Sequence, residues 1–203
     1  MVTSAYSAVP GVPGAGAASD QVFRSELNPV DFLHRAAYIY PDKAAVVDGE
    51  RRYSYRQLAE RSWRLASALR SAGLGKGDRV ATLLVNSPAM LEAHFGVPAA
   101  GGILVAVNHR LAGAEVGYIL AHSGARFLLL DAGLEALAGP AGRAGVTVIR
   151  CAGSGGPADP YEQFLAGGSP VRPASWLEDE GETISVNYTW RSRPGHRRLR
   201  TAA

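Results

Sequence analysis

Residues 78–131, DRVATLLVNSPAMLEAHFGVPAAGGILVAVNHRLAGAEVGYILAHSGARFLLLD, decide the fold. The run 78–86 is apolar almost without alternation, which predicts a strand covered on both faces. Ser87 and Pro88 are an N-cap and first-turn pair that opens a helix over AMLEAHFGVPAA. ILVAV (103–107) is a second strand, AEVGYILAHSG a helix ending at Gly124, and RFLLLD a third strand. Two-faced strands alternating with helices of about 10–15 residues predict parallel βαβ units with helices over the sheet, an α/β fold.

Outward from this stretch the pattern continues toward the C-terminus. LEALAG reads as a short helix, VTVIRC (146–151) as a fourth strand, and YEQFLAG as a short helix in text rich in Gly, Pro and Ser. After the acidic residues Glu178, Asp179, Glu180 and Glu182, which read as a solvated linker, ETISVNYT resumes as a strand that should be largely buried. A parallel sheet expects a loop and helix next, and the residues that follow are WRSRPGHRRLRTAA. Toward the N-terminus, Phe32, Leu33, Ala36 and Ala37 have helical spacing before Pro41, and Asp48-Gly49 predicts a hairpin. Ser54 and Gln57 form a capping box, with Tyr53 and Leu58 placed as a hydrophobic staple. Leu58, Leu65, Leu69 and Ala72 make one apolar face, and Gly73 takes the left-handed position after it.

The chain has 203 residues, 47% hydrophobic and 19% charged, enough for a core and too apolar for disorder throughout. Its single cysteine, Cys151, excludes an internal disulfide framework and a thiolate zinc site. No apolar run reaches the roughly 18 residues of a membrane span, and residues 1–24 lack the basic and apolar regions of a signal peptide. A cytoplasmic protein with an unstructured leader is the expectation. The net charge of +3 belongs to the last residues: Arg191, Arg193, Arg197, Arg198 and Arg200 stand without an acid, while the first 190 residues carry 16 bases and 18 acids. The body therefore gives no electrostatic reason to expect nucleic acid.

Glycine-rich stretches are the candidate phosphate loops of a parallel sheet. GLGKGD (73–78) places Lys76 among glycines, but Asp78 and a strand follow where a P-loop has a hydroxyl residue and a helix, so a turn is expected. CAGSGGPADP lacks the GxGxxG spacing, and GAGAAS precedes no strand-linked helix. His94, His109 and His122 have no ligand-pair spacing, and His94 and His122 are expected at helix margins. No metal site and no catalytic residue is assigned.

The residues PDKAAVVDGERRYSYRQLAERSWRLASALRSAGLGKGDRVA, NSPAMLEAHFGVPAAGGILVAVNHRL and YILAHSGARFLLLD together resemble the amino-terminal portion of acyl-CoA synthetases, in the adenylate-forming, AMP-binding superfamily. The resemblance covers about residues 25–189, and EAHFGVPAAGG with ETISVNYT resembles bacterial fatty-acyl or medium-chain ligases. It implies a partial AMP-binding domain over 25–189 and a family reaction in which a fatty or other carboxylic acid, ATP and CoA give acyl-CoA, AMP and pyrophosphate. ATP, Mg2+ and CoA are the full-length family's cofactors, and none is expected for this chain. The family follows a strand much like ISVNYT with a phosphate loop of the form YTSGTTGxPKG. Here Tyr188 and Thr189 are followed by Trp190-Arg191-Ser192-Arg193, so Thr189 alone carries over, as the first residue of the ATP phosphate loop.

Three readings of 190–203 stand: a basic arm for an anionic partner, an inert terminus, or out-of-frame translation of high-GC codons. The third accounts for a composition of Arg, Pro, Gly, Ala and His and makes 190–203 a frameshift product. The expectation is an inactive fragment. The alternative is a non-catalytic protein that binds a full-length synthetase, or an anionic partner through its arginines.

Overall fold

The central strand has two apolar faces to bury, and the molecule answers with a helical layer on each side of one sheet. The computed structural model describes residues 27–142, 145–174 and 179–189. The leader predicted over 1–24 and the tail over 190–203 lie outside the described residues. In chain order the elements are helix α1 (Pro29–Ile39), strands β1 (Ala44–Asp48) and β2 (Arg51–Ser54), α2 (Tyr55–Ser71), β3 (Arg79–Leu83), α3 (Pro88–Ala99), β4 (Ile103–Ala106), α4 (Gly113–Ser123), β5 (Ala125–Asp131), a 3-10 turn (Ala132–Leu134), α5 (Glu135–Gly142), β6 (Thr147–Cys151) and α6 (Pro160–Ala166).

β1 and β2 form the hairpin expected at Asp48-Gly49, and β4-β3-β5-β6 is a four-stranded parallel sheet in that order. Side chains alternate across it, as the period of two requires. Val80, Leu104, Phe127, Leu129 and Ile149 enter the core under α1, α2, α3 and α6, whereas Ala81, Leu83, Val105, Leu128 and Leu130 enter the core under α4. The large apolar side chains among them are essentially inaccessible. Each contributes about 1.5–3 kcal/mol by leaving water.

Local signals set the helix ends. The capping box is complete: Gln57 N–H donates to Ser54 Oγ at 3.3 Å and Ser54 N–H to Gln57 Oε1 at 2.8 Å. At the other end of α2, Gly73 has φ +94°, and the Gly73 and Leu74 amides donate to the Arg70 and Leu69 carbonyls, each at 2.9 Å. That double bond pattern needs a left-handed residue, which a side chain would penalise. Ser87 caps α3 through the Met90 amide, with Pro88 in the first turn. In α1 the apolar spacing is only partly used, since Leu33 and Val30 are buried while Phe32 remains 58% exposed.

The segment ETISVNYT departs from expectation. It lies at the sheet edge as an isolated bridge rather than a regular, largely buried strand: Leu104 N–H donates to the Ile184 carbonyl at 2.9 Å and Val186 N–H to the Leu104 carbonyl at 2.8 Å, on the outer side of β4. Residues 183–186 are half-buried, and Asn187 and Thr189 are exposed. The reason is positional. With a neighbour on one side only, it is incompletely covered, and Val186 and Tyr188, two residues apart and so on the same face, pack on the α4-side core.

α2 and α3 approach closely at Gly96, where an added Cβ would lie 2.8 Å from the Ser62 carbonyl oxygen and 2.9 Å from a Leu65 methyl. Backbone cannot yield as a flexible side chain would, so the helices must separate. Gly96→Ala should lower stability by about 1–3 kcal/mol, read as a lower urea midpoint, despite alanine's better helix propensity.

Candidate functional site

Four places in the sequence had the chemistry to hold a phosphate or an ion, and the fold disposes of each differently. The 73–78 turn joins α2 to β3. There the Asp78 carboxylate accepts from Gly75 N–H at 2.8 Å and pairs with Arg126, while Lys76 Nζ meets Glu182 Oε1 at 2.6 Å. Burial alone would raise the Asp78 pKa; the Gly75 amide and Arg126 outweigh it and hold the group below the usual carboxylate range. Lysine and loop amide are thus engaged by the protein's own carboxylates, and the turn reading of this stretch stands.

The glycine-rich stretch after β6 is organised by Asp159, the N-cap of α6. Its carboxylate, 3% exposed, accepts from the amides of Ala152 at 3.1 Å, Ser154 at 3.0 Å and Tyr161 at 3.0 Å, and from Ser154 Oγ at 3.3 Å. Burial would raise its pKa, but these donors outweigh burial and hold it low. A loop that looked like a phosphate cradle in composition is wrapped around an internal anion. Sequence reasoning missed Asp159, although Asp before Pro160 is a recognisable N-cap signal.

The third place is a buried ionic cluster that the sequence reading did not identify. Glu92 of α3 is fully buried; it receives Arg61 Nε of α2 at 2.6 Å and the Tyr161 hydroxyl of α6 at 2.7 Å. Arg61 also donates to Glu162 at 2.6 and 2.8 Å, and its guanidinium lies 4.8 Å from the Tyr53 ring centroid. Burial pulls the Arg61 pKa down, yet the hydrogen bonds from Glu162 and Glu92 dominate and raise it, so it stays charged. Burial and the neighbouring Glu92 push the Tyr161 hydroxyl up, keeping its proton available to donate. The one signal in the sequence was a carboxylate in a helix whose only other polar side chain is His94. Every donor here faces an acceptor within the cluster, so its chemistry is structural.

The fourth place is the end of the edge segment, where Thr189 was expected to open a phosphate loop. Thr189 does not line the neighbouring cavity, which has a volume of about 460 Å3 and lies between α4, the amino ends of β3 and β4, and residues 183–188. Arg79, Ile103, Val105, His122, Val186 and Tyr188 line it. Arg79 spends its donors on carbonyls of Ser123 at 2.8 Å and Gly124 at 3.0 Å, capping the end of α4. His122 Nδ1 lies 2.8 Å from the Tyr188 hydroxyl. His94, on the exposed side of α3, bonds the Met90 carbonyl at 2.8 Å. The cavity is therefore mostly apolar, with a paired polar rim.

These observations test the fit of ATP directly. The amides of Gly75, Ala152 and Ser154 already serve carboxylates, and Lys76 is paired. Among the described residues no cluster of three His, Cys, Asp or Glu could hold a metal ion. A triphosphate cradle is not assembled by these residues, and no catalytic step through ATP or magnesium follows from them. Nor is any helix among them long and apolar enough to cross a membrane.

Residues 33–189 match the family model described as AMP-binding enzyme. Among curated proteins, the chain is 36% identical over 186 residues to the acetate/butyrate–CoA ligase AAE7, peroxisomal, of Arabidopsis thaliana, covering 80% of this chain and 32% of that protein. It is 34% identical over 184 residues to the acetate–CoA ligase CCL3 of Humulus lupulus, with the same coverage of 80% and 32%. The chain spans about a third of the length of these curated relatives. Among solved structures, the N-terminal domain of FACL13 from Mycobacterium tuberculosis superposes with a TM-score of 0.68 at 28% identity, covering 79% of this chain and 41% of that one.

The Asp159 arrangement predicts an acid dependence. A depressed folded pKa contributes stability that is fully present above the unfolded value of about 3.9 and is lost as pH falls through the folded pKa. Asp159→Asn should lose about 1.5–3 kcal/mol at pH 7, because its amide faces donors. Its stability, measured by urea unfolding from pH 7 to pH 2, should fall less steeply with acid than the parent's.

Proposed function

The chain belongs to the AMP-binding enzyme family, and from that premise we propose that it carries the amino-terminal part of an ATP-dependent acyl-CoA synthetase and does not form an acyl-adenylate by itself. The reaction of the whole enzyme would join a carboxylic acid to CoA, with ATP converted to AMP and pyrophosphate. Fatty or short-chain acids are the proposed substrate class, supported by relatives named as acetate–CoA and acetate/butyrate–CoA ligases.

One observation carries the inactivity: the family match runs to Thr189 and stops there, and the next residues read Trp190-Arg191-Ser192-Arg193-Pro194-Gly195. Adenylation needs preorganised donors around the β- and γ-phosphates, and small residues so that backbone amides can approach them. Trp190 stands where the expected loop has a small serine, and the amides of the two described glycine-rich stretches are committed elsewhere. Thr189 is the proposed first residue of the missing loop. The domain is proposed to run from 25 to 189, with 190–203 the product of a frameshift. The proposed compartment is the cytoplasm.

Purified chain should give no carboxylate-dependent exchange of pyrophosphate into ATP above the protein-free blank, whether acetate, butyrate or a long-chain fatty acid is supplied. Clear exchange with any of them would overturn the proposal. The coding sequence past codon 189 gives a separate check: another frame should read TSGTTGRPKG or a close variant, and absence of such a frame removes the frameshift explanation.

A further inference from the structure

The edge segment is attached to the sheet by one bridge, with two hydrogen bonds to Leu104, and its first residue, Glu182, pairs with Lys76 in a largely exposed contact that a flexible lysine can keep through a slip. Backbone bonds of this kind do not select a register, since a slip of one residue would offer the same donors and acceptors with every side chain turned to the other face. Something in the side chains must choose. Val186 gives a preference for its face but is an ordinary apolar contact.

Tyr188 is specific. Its hydroxyl lies 2.8 Å from His122 Nδ1, and its ring stands edge-on to the imidazole, with centroids 5.8 Å apart and planes at 82°. The imidazole is in turn stacked on Tyr118, one helical turn earlier, at 5.1 Å and 21°. Arg79 fixes this end of α4 to the central strand through the Ser123 and Gly124 carbonyls. Asn187 and Thr189 offer no aromatic ring, so neither could replace Tyr188 after a slip. A slip would move Thr189 by about 3.3 Å, the rise of one strand residue, which is more than a hydrogen bond tolerates.

We propose that His122, braced by Tyr118, is a positioning residue that pins the register of residues 183–189 through Tyr188 and so sets where Thr189 leaves the sheet. The significance of that exit point rests on the ligase reading, in which Thr189 opens the phosphate loop; the pin itself does not. His122 touches no substrate in this scheme. It acts through Tyr188 alone.

The test is amide hydrogen exchange on the full chain without nucleotide, reading the Leu104 and Val186 amides that form the bridge. His122→Phe keeps a ring to stack on Tyr118, and Tyr188→Phe removes only the hydroxyl. Each should speed exchange at these two amides at least tenfold while amides of β3 and β5 and the melting temperature stay unchanged. The double variant should exchange no faster than either single one, and His122→Asn, which keeps a polar group near the Nδ1 position, should recover part of the protection. Unchanged exchange in Tyr188→Phe would overturn the pin, as would additive effects or acceleration spread equally through the sheet. If His122→Phe does not fold, Tyr188→Phe decides alone. Because no nucleotide is present, loss of the pin leaves the ligase reading standing, and unexpected ATP–pyrophosphate exchange leaves the pin standing.

Discussion

The Glu92 carboxylate is the constraint around which the helical layer on one side of the sheet is arranged. An isolated carboxylate in an apolar interior costs several kcal/mol, and it is tolerable only where donors converge on it. Arg61 from α2 and Tyr161 from α6 must therefore meet α3 at one point. Arg61 brings a second acid, Glu162, and rests on Tyr53 from the hairpin. Three elements, α2, α6 and β2, are tied to one side chain of α3. Such a cluster adds little net stability compared with well-packed apolar residues, yet removing one partner strands the others and costs about 3–5 kcal/mol. Its contribution is geometric: α2, α3 and α6 can cover the sheet in one arrangement only.

The same logic recurs at other charged groups among the described residues. Asp159 gathers the amides of the glycine-rich loop, and Asp78 closes the turn before β3. Arg70 and Arg79 finish neighbouring helices by donating to their last carbonyls, those of Ala99 and Ala100 in one case and of Ser123 and Gly124 in the other. Internal partners thus absorb the groups that would otherwise bind phosphate. On the proposed reading, chemistry on ATP belongs to residues at and after Thr189.

Much of the fold was legible because its signals are local. The Ser54–Gln57 box, the Ser87-Pro88 start, Gly73 after α2 and Gly124 after α4 each depend on backbone geometry within a few residues. The two-faced apolar runs likewise read directly as parallel strands. ETISVNYT was misjudged because an apolar run reports that a segment is covered, not on how many sides. Helical spacing identified α1, but only its neighbours decide that Leu33 is covered while Phe32 stays exposed. No catalytic group was legible in the sequence, and Thr189, carried over from the family pattern alone, stands as a proposal.

The sequence by itself determined the element order, the parallel α/β class, the helix ends and the family, since these follow from short-range spacing and from motifs read in line. Only the tertiary structure decided that Glu92 is a buried hub, that Asp159 occupies the glycine loop, and that His122 faces Tyr188 across 66 residues of chain. Each of these depends on contacts between residues far apart in sequence. Their partners are chosen by which helices the sheet brings together, and no local pattern encodes that choice.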